Sequence, residues 1–177
     1  MSKLNLILSP NPLLKQVSAP VSQVNKELQY FLDNMLETMY YEEGAGLAAV
    51  QVGVLKRIFI LDINKKSENE LNNPQFFINP EIIYCSEEKS VLNEGCLSFP
   101  GARAMLARPE VVKIRYLDYD GNSRELEADG WMARGILHEY DHIDGVTMPD
   151  HLSTMKKDVF LRHVKKFMRN NPSGVEL

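Results

Sequence analysis

Two histidines stand four positions apart around a glutamate, in the segment His138-Glu139-Tyr140-Asp141-His142. On a helix, positions i and i+4 lie on one face about 5–6 Å apart, so both imidazoles are able to bind one metal ion. Glu139 is rotated about 100° from His138, which brings it near a metal-bound water without making it a ligand. A chance spacing on a solvated helix is the alternative, and it is disfavoured because half of the four histidines fall in this pattern. The segment therefore predicts a catalytic divalent metal.

The helical motif leaves the third metal ligand open. Cys96, in the segment Glu94-Gly95-Cys96-Leu97-Ser98, is the leading candidate. A thiolate, two imidazoles and a water complete a tetrahedral site with one open position, the form that catalytic metals adopt. Two other histidines are weaker candidates. His151 follows Pro149-Asp150, and His163 lies far along the chain on the last predicted helix.

Glycines near these residues are expected to make room for a ligand. The segment Gly44-Ala45-Gly46-Leu47-Ala48-Ala49-Val50-Gln51 lets a backbone approach a ligand closely, and Gln51 adds an amide donor suited to a developing oxyanion. By itself this segment is more typical of an ordinary turn, and it lacks the Gly-Lys-Ser/Thr of a phosphate loop. Gly135 falls between His142 and Glu139 on the helical wheel, so its missing side chain is expected to leave space for a substrate beside the metal.

The elements that must position these residues follow from the hydrophobic pattern and from turn residues. In chain order they are a short helix starting at Asn11-Pro12, a second helix capped by Ser22 and broken at Gly44, a buried strand at Ile58–Leu61, a pair of strands at 76–78 and 82–83 with Cys85 in the core behind them, a hairpin at 112–116 and 123–128, and helices at 130–144 and 153–169. This order predicts an α+β fold of mostly antiparallel strands packed around a central helix that carries the His-Glu-x-x-His motif, with an additional C-terminal helix.

Composition and charge exclude several classes of protein. The chain has 177 residues, of which 44% are hydrophobic, so it is too apolar for a disordered protein and suits one compact domain over 1–177. A net charge of −4 argues against a surface that binds nucleic acid as a whole, although a local basic patch stays open. Two cysteines are too few for a disulfide framework. Without an apolar run near the ~18 residues of a membrane span, and without a secretory core, we expect a cytoplasmic chain with no membrane partner.

Together, the segments 44–51, 94–98 and 138–142 resemble the three signature motifs of the peptide deformylases, in the order and at the spacing found in that family. The resemblance covers nearly the whole chain. It implies an enzyme that binds N-formylmethionyl peptides, removes the formyl group from the N-terminal formylmethionine of new polypeptides and releases formate. It further implies a metal-bound water as the nucleophile, and we expect a monomer.

Residue roles follow from the same resemblance. Cys96, His138 and His142 hold the metal. It is usually Fe²⁺, and Zn²⁺, Ni²⁺ or Co²⁺ are able to take its place. Glu139 is the general acid/base, and the Gln51 side chain with the Leu97 backbone N–H forms the oxyanion hole. Ala45, Gly46 and Gly95 are expected to contact the substrate through their backbone. Arg103 is expected near the cleft, Arg134 near the methionine pocket, and Gly135 beside the substrate. Trp131 is expected to form a pocket wall, with an ordinary core position as the alternative.

The last predicted helix has an apolar stripe and a basic face. The stripe consists of Phe160, Leu161, Val164, Phe167 and Met168, and the basic face of Arg162, Lys165, Lys166 and Arg169. A docked helix with a solvated basic face explains this pattern. The resemblance suggests in addition a ribosome contact, since some deformylases dock near the exit tunnel through their C-terminal helix.

Three other interpretations share part of the pattern. A metalloendopeptidase has the same helix motif but usually draws its third ligand from downstream, and no downstream histidine falls at that extended spacing. A deformylase-like paralogue with weak or altered activity, or one that only binds, is disfavoured by the intact Glu139 and Gln51. A structural zinc site gives Glu139 no purpose and leaves a coordination position open.

Overall fold

The computed structural model describes residues 3–63 and 72–171. Its helices and strands, in chain order, are α1 (Lys26–Tyr41), β1 (Gly46–Ala48), β2 (Ile58–Leu61), β3 (Gln75–Cys85), β4 (Lys89–Gly95), β5 (Arg103–Pro109), β6 (Val111–Leu117), β7 (Ser123–Asp129), α2 (Gly130–Ile143) and α3 (Thr154–Asn170), with short 3-10 turns at Pro12–Lys15, Ala49–Val52 and Met148–His151. In this part of the chain, none of the helices has the length and apolar character needed to cross a membrane.

The strands form two antiparallel sheets. One sheet has the order β1-β2-β3-β6-β7, and each neighbouring pair in it is antiparallel. The other sheet pairs β4 with β5, from Lys89 opposite Pro109 to Gly95 opposite Arg103. Helix α2 contacts strands of both sheets. This arrangement confirms the predicted α+β fold with antiparallel strands. Helix α2 carries the His-Glu-x-x-His motif, and α3 follows it.

Strand β2 lies between two apolar layers, and all four of its side chains are buried. Successive residues of a strand point to opposite faces of the sheet. Phe59 and Leu61 join the apolar cluster that contains α2, whereas Ile58 and Ile60 join the cluster that contains α1. The predicted buried strand is confirmed, and it holds the metal-motif helix against one face of the sheet while α1 covers the other.

Helix α1 begins later than the sequence pattern predicted. Its N-cap is Asn25, whose side-chain oxygen accepts a hydrogen bond from the backbone N–H of Leu28, so the prediction of Ser22 as the cap was wrong. Asn is as good an N-cap as Ser, and hydrophobic spacing alone does not distinguish two caps one turn apart. The predicted stripe is nevertheless buried at Leu28, Leu32, Met35 and Met39.

Strand β3 is one long strand where two short ones were predicted. Asn79 has φ 49°, and the register with β6 shifts between Ile78 and Glu81. The Asn79 side chain accepts from the backbone N–H of Val21 at 2.7 Å and donates to its carbonyl at 2.8 Å, so the strand continues past this irregularity. Beyond Ile78 the strand has no partner on β2. Cys85 is therefore exposed at its end, and the prediction that it lies in the core was wrong.

The hydrophobic pattern gave no signal for β1, β4 and β5. β1 has three residues, too few to show a period of two. In β4 and β5 more exposed and less exposed side chains alternate, but the buried positions include the charged residues Glu94 and Arg108. A search for alternating apolar residues overlooks a strand whose buried positions carry ion pairs.

Helix α3 docks on the segment that follows Cys96. Phe160 and Val164 are buried, and the Phe160 ring lies 5.7 Å from the ring of Phe99. Gly101 has φ 73° and meets the Phe167 side chain where a Cβ would stand, so glycine is needed there on both grounds. The docked apolar face is as predicted. The opposite face exposes Arg162, Lys165, Lys166 and Arg169.

A carboxylate links the Met148–His151 turn to the beginning of the described chain. Asp150 pairs with Lys15, accepts from Lys157 Nζ at 2.9 Å, and accepts from the backbone N–H and the hydroxyl of Thr147 at 2.8 Å. Burial alone would raise the pKa of Asp150, but these donors lower it well below its usual range. The ionised carboxylate therefore stabilises this turn.

We expect Asp150→Asn to lower the melting temperature at pH 7, and the difference from the parent to narrow below about pH 4. The folded-state pKa is depressed, so the carboxylate stabilises the fold above its unfolded pKa of about 3.9, and this stabilisation is lost as the pH falls toward the folded-state value. Circular dichroism melts of both proteins from pH 7 to pH 2 measure the difference. A constant difference across that range would contradict the prediction.

Candidate metal centre and active site

Cys96, His138 and His142 come together in space. Their ligand atoms lie within 4.8 Å of one another, and Cys96 Sγ is 3.2 Å from His142 Nε2. Cys96 directly follows β4, and the two histidines project from one face of α2. Within 3–63 and 72–171, this is the one group of three such side chains that suits a metal ion. His151 and His163 are not in it, so the geometry favours Cys96 over both as the third ligand.

The chemistry of this group fits a divalent transition metal. Thiolate and imidazole are ligands of Fe²⁺ and Zn²⁺, and three protein ligands leave a coordination position open, as in catalytic sites. Burial, followed by the neighbouring charge of His138, lowers the pKa of His142 to about 3. Its ring is therefore neutral at physiological pH and offers a lone pair.

Glu94 orients the ring of His138. The distance from His138 Nδ1 to Glu94 Oε2 is 2.9 Å. Burial acts to raise the pKa of Glu94, but hydrogen bonds from His138 and Arg108 lower it to about 2, so Glu94 is an acceptor only. Nδ1 must therefore carry the hydrogen, which leaves Nε2 to face a metal. Although burial disfavours a charged imidazole, hydrogen bonds with Cys96 and Glu94 raise the pKa of His138 well above its usual value. A metal ion that binds Nε2 would therefore displace a proton from this ring.

Two buried arginines hold Glu94. Arg108 donates from Nε to Oε1 at 2.7 Å and from Nη2 to Oε2 at 3.1 Å, and Arg134 donates from Nη1 to Oε1 at 2.5 Å. Arg134 also donates to the carbonyls of Leu106 at 3.0 Å and Ser90 at 2.8 Å. Its two terminal nitrogens are thus engaged within the protein, and the predicted contact of Arg134 with substrate stays a prediction.

Sequence reasoning gave no role to the Glu94 side chain and missed Arg108. The two residues have opposite charges, but only the structure shows that they are buried and that they lie on two paired strands. Hydrophobic periodicity does not detect such a pair, since both residues count as polar.

Glu139 is buried beside the three candidate ligands. It is 4% exposed, and its Oε2 atom has no hydrogen-bond partner among the described residues. Burial raises the pKa of Glu139 to about 7, against the opposing effect of the positive charges of His138 and Arg108. A carboxyl group with this pKa is able to accept a proton and return it at neutral pH.

The close approach of β1 to Glu139 requires a glycine. A Cβ on Gly46 would lie 2.5 Å from Glu139 Oε1 and 2.7 Å from Leu61 Cδ2. Side chains do not make contacts this short, so a larger residue at position 46 must displace the carboxylate or the strand.

We therefore expect Gly46→Ala to lower kcat/KM by ~10²-fold, because a displacement of about 1 Å at a reacting group has an effect of this size. Gly130→Ala is the control for an added methyl group, since a Cβ there meets no atom within 4 Å, and its melting curve reports the strain that φ 52° adds. Steady-state assays with melting curves compare the two variants. If Gly46→Ala keeps the parent's activity, the packing argument is wrong.

Gln51 presents its amide nitrogen to the metal group. Its Oε1 accepts from the Ala48 N–H at 2.8 Å, which fixes which end of the amide points inward. Nε2 then lies 3.1 Å from Ser98 Oγ and 3.5 Å from Cys96 Sγ. The backbone N–H of Leu97, next to Cys96, makes no hydrogen bond to a described residue. Both predicted oxyanion donors are therefore near the proposed metal, and Ser98 is a further contact that the sequence did not indicate.

One open cleft of about 660 Å³ is lined by five of these residues, namely Gln51, Cys96, Leu97, His138 and Glu139. Among its lining residues are the residues predicted for substrate contact, namely Ala45, Gly46, Gly95, Arg103, Trp131, Arg134 and Gly135. The guanidinium of Arg103 lies 3.5 Å from the Cβ position of Gly95, directly across the β4–β5 pair. Trp131 is 56% exposed, so it lies at the rim of the cleft and not in the core.

The structure gives a different reason for a glycine at position 135 from the one that the sequence suggested. A Cβ there would lie 3.0 Å from Ile63 Cδ1 and 3.1 Å from Leu61 Cδ2. Apolar side chains therefore fill the space beside this glycine, which allows α2 to pack closely on β2. Its backbone still borders the cleft, and a contact with substrate stays a prediction.

Comparison with known proteins agrees with this geometry. A model of the polypeptide deformylase family matches residues 3–158. The chain belongs to this family. Its reaction is the metal-dependent hydrolysis that removes the formyl group from an N-terminal formylmethionine, as the three motifs implied.

Similar proteins match over almost their full length. The peptide deformylase of Rickettsia akari (strain Hartford) is 53% identical over 173 residues, which cover 96% of this chain and 99% of the relative. That of Rickettsia prowazekii (strain Madrid E) is 50% identical with the same coverage. The crystal structure of peptide deformylase from Ehrlichia chaffeensis has a TM-score of 0.90 at 38% identity and covers 96% of this chain and 99% of its own. The complex of the Ehrlichia chaffeensis enzyme with actinonin has a TM-score of 0.89 at 40% identity, with the same coverage.

Proposed function

We propose that Cys96, His138 and His142 hold the metal of this deformylase, and that Glu139, Gln51 and the Leu97 N–H carry out the hydrolysis. The observation that carries the proposal is their convergence. Within one cleft, an oriented amide donor and a carboxyl group with a pKa of about 7 lie beside three side chains whose ligand atoms are within 4.8 Å of one another.

When bound, a divalent cation at this position lowers the pKa of a water molecule toward ~7, so that hydroxide is available at neutral pH. Glu94 supports this role by fixing the Nδ1–H tautomer of His138. Cys96 contributes a thiolate, whose greater charge donation relative to a carboxylate supports a preference for Fe²⁺ over Zn²⁺, Ni²⁺ or Co²⁺.

The chain's own groups move the protons and bind the developing charge. Glu139 takes the proton of the attacking water and passes it to the amine that leaves, so the products are formate and a free α-amino terminus. Gln51 Nε2 and the Leu97 N–H donate to the oxygen of the formyl group as it becomes negative. Loss of one such donor typically lowers the rate ~10²–10³-fold.

The peptide is proposed to lie between the two sheets as an added strand. Backbone at Ala45 and Gly46, from the β1 side, and at Gly95, at the end of β4, supplies hydrogen bonds of this kind. Arg103 and Trp131 line the same cleft, which supports the proposal that Arg103 lies near the substrate and that Trp131 is a wall of its pocket. Because a similar protein from Ehrlichia chaffeensis forms a complex with actinonin, we propose that actinonin binds this chain too, in the cleft described above.

Formate release from formyl-Met-Ala-Ser by protein loaded anaerobically with Fe²⁺ tests the proposed site. We expect turnover, inhibition by actinonin and no cleavage of internal peptide bonds. Internal cleavage would favour a metallopeptidase. Metal bound at the site without turnover would favour a deformylase-like paralogue with another substrate.

Replacing Cys96 with Asp tests the proposed reason for the iron preference. We expect the ratio of activity with Fe²⁺ to activity with Zn²⁺ to fall, because the carboxylate donates less charge than the thiolate. Each metal is loaded separately, and its content is measured before the assay. An unchanged ratio would show that Cys96 does not set the preference.

We further propose that the chain acts in the cytoplasm as a monomer, with one catalytic domain over 1–177. A separate proposal is that the basic face of α3 contacts the ribosome. Support for the contact is the exposure of Arg162, Lys165, Lys166 and Arg169 on a helix docked by its other face. Sedimentation with ribosomes should weaken on reversal of these charges and in high salt. Equal sedimentation of the parent and the reversed variant would rule it out, and light scattering reports the oligomeric state.

A further inference from the structure

A line of hydrogen bonds runs from a partly exposed histidine to the proposed metal ligand His138. His151 Nε2 is 2.7 Å from Asp141 Oδ2, and Arg108 Nη1 donates to the same oxygen at 2.8 Å. Arg108 then binds both oxygens of Glu94, and Glu94 Oε2 accepts from His138 Nδ1 at 2.9 Å. A carboxylate only accepts, so His151 Nε2 is a donor in this arrangement.

Asp141 helps to orient the guanidinium of Arg108, whose Nη1 donates to Asp141 at 2.8 Å and more weakly to the Leu137 carbonyl at 3.4 Å. The planar fork of an arginine fixes its nitrogens relative to one another, so a carboxylate bound at Nη1 constrains the positions of Nε and Nη2. Those two nitrogens hold Glu94. A change in the rotamer of Asp141 therefore reaches Glu94, and through Glu94 the ring of His138.

His151 is the second donor that holds the Asp141 carboxylate. Asp141 is partly open to solvent, with 22% of its side chain exposed, so its rotamer is not determined by close packing alone. His151 comes from a turn that has anchors outside α2, because Met148 packs in the cluster with Phe160 and Asp150 pairs with Lys15. It therefore ties Asp141 to a second, rigid part of the molecule.

We propose that His151 is a positioning residue of the metal centre. It acts through Asp141, Arg108 and Glu94 on the orientation of His138, without touching metal or substrate. The inference rests on the metal centre proposed above and goes beyond it, since it assigns a function to a side chain outside the cleft. A purely structural role of His151 in holding the turn would affect stability and leave the metal ligands unchanged.

The test uses protein loaded with Co²⁺, whose visible absorption reports ligand geometry and the bond to a thiolate. For His151→Ala we expect shifted cobalt bands and a rate of metal loss to a chelator raised ~3–10-fold, below the ~10–100-fold typical of groups that bind a ligand directly. His151→Gln keeps a side-chain N–H donor and should recover part of the effect. His163→Ala is the control, because His163 is exposed on α3 and its side chain makes no hydrogen bond to a described residue.

The measurements separate the two proposals. An absorption band for a cobalt–thiolate bond in the parent protein supports the metal centre, and its absence would overturn both proposals together. With that band present, faster loss of cobalt to the chelator in His151→Ala, partly reversed in His151→Gln, supports the positioning role. A His151→Ala protein with a lower melting temperature but with parental bands and metal release would overturn the positioning role alone.

Discussion

Replacing Glu139 with Gln is expected to lower the rate of formate release by ~10²–10⁴-fold while the metal stays bound. Glu139 is buried beside the proposed ligands, and its pKa is raised to about 7 by that burial. A glutamine has nearly the same shape but neither accepts nor returns the proton of the attacking water. The loss should therefore fall on kcat, because the change removes a transition-state interaction and leaves the cleft intact.

The measurement is a comparison of kcat, KM and bound metal between the parent and Glu139→Gln. Glu37→Gln is the matched control, since Glu37 is exposed on α1, away from the cleft. If Glu139→Gln loses its metal, the lost activity would have a structural cause and would not support proton transfer by Glu139. A fully loaded variant with activity within about threefold of the parent would remove Glu139 from its proposed role.

Replacing Glu94 with Ala is expected to have the largest effect on stability. The change leaves Arg108 and Arg134 buried without their shared carboxylate, and breaking a buried ion pair in this way typically destabilises a protein by about 3–5 kcal/mol. It also frees His138 Nδ1, so metal affinity should fall by ~10–100-fold. Both effects come from one side chain because Glu94 serves two arginines and a metal ligand.

Urea unfolding of the metal-free protein separates the loss of stability from the loss of affinity. Competition with a chelating dye then gives the metal affinity of the folded variant. Glu110→Ala serves as the control, because Glu110 is an exposed glutamate between β5 and β6. An unfolding free energy within about 1 kcal/mol of the parent would show that the arginines find other partners.

The elements that the sequence predicted correctly are those with a strong local pattern. β2 is a continuous run of four apolar residues that is buried on both faces. The alternation in β6 and the stripes of α1 and α3 each bury one face, so their periodicity is visible in the residues themselves. Elements with charged buried positions, as in β4 and β5, have no such pattern. The sequence predicted the type of an element better than the residue at which the element begins, as the N-cap of α1 at Asn25 shows.

The same division applies to the site. The pair His138 and His142 with Glu139 between them is a local feature, because one turn of helix determines how these three side chains lie. The arrangement of Gln51 depends on its hydrogen bond with Ala48 and on Ser98, which is far away in the chain. No local pattern predicts such a contact.

The sequence by itself determined the metal motif, the candidate thiolate and the family, since these depend on residue types at close spacing. Only the tertiary structure decided that Cys96 meets the two histidines, that Glu94 and two arginines orient His138, and that Glu139 is buried enough to raise its pKa to about 7. The physical reason is that helix periodicity acts over a few residues, whereas desolvation and ion pairing depend on which distant segments pack together.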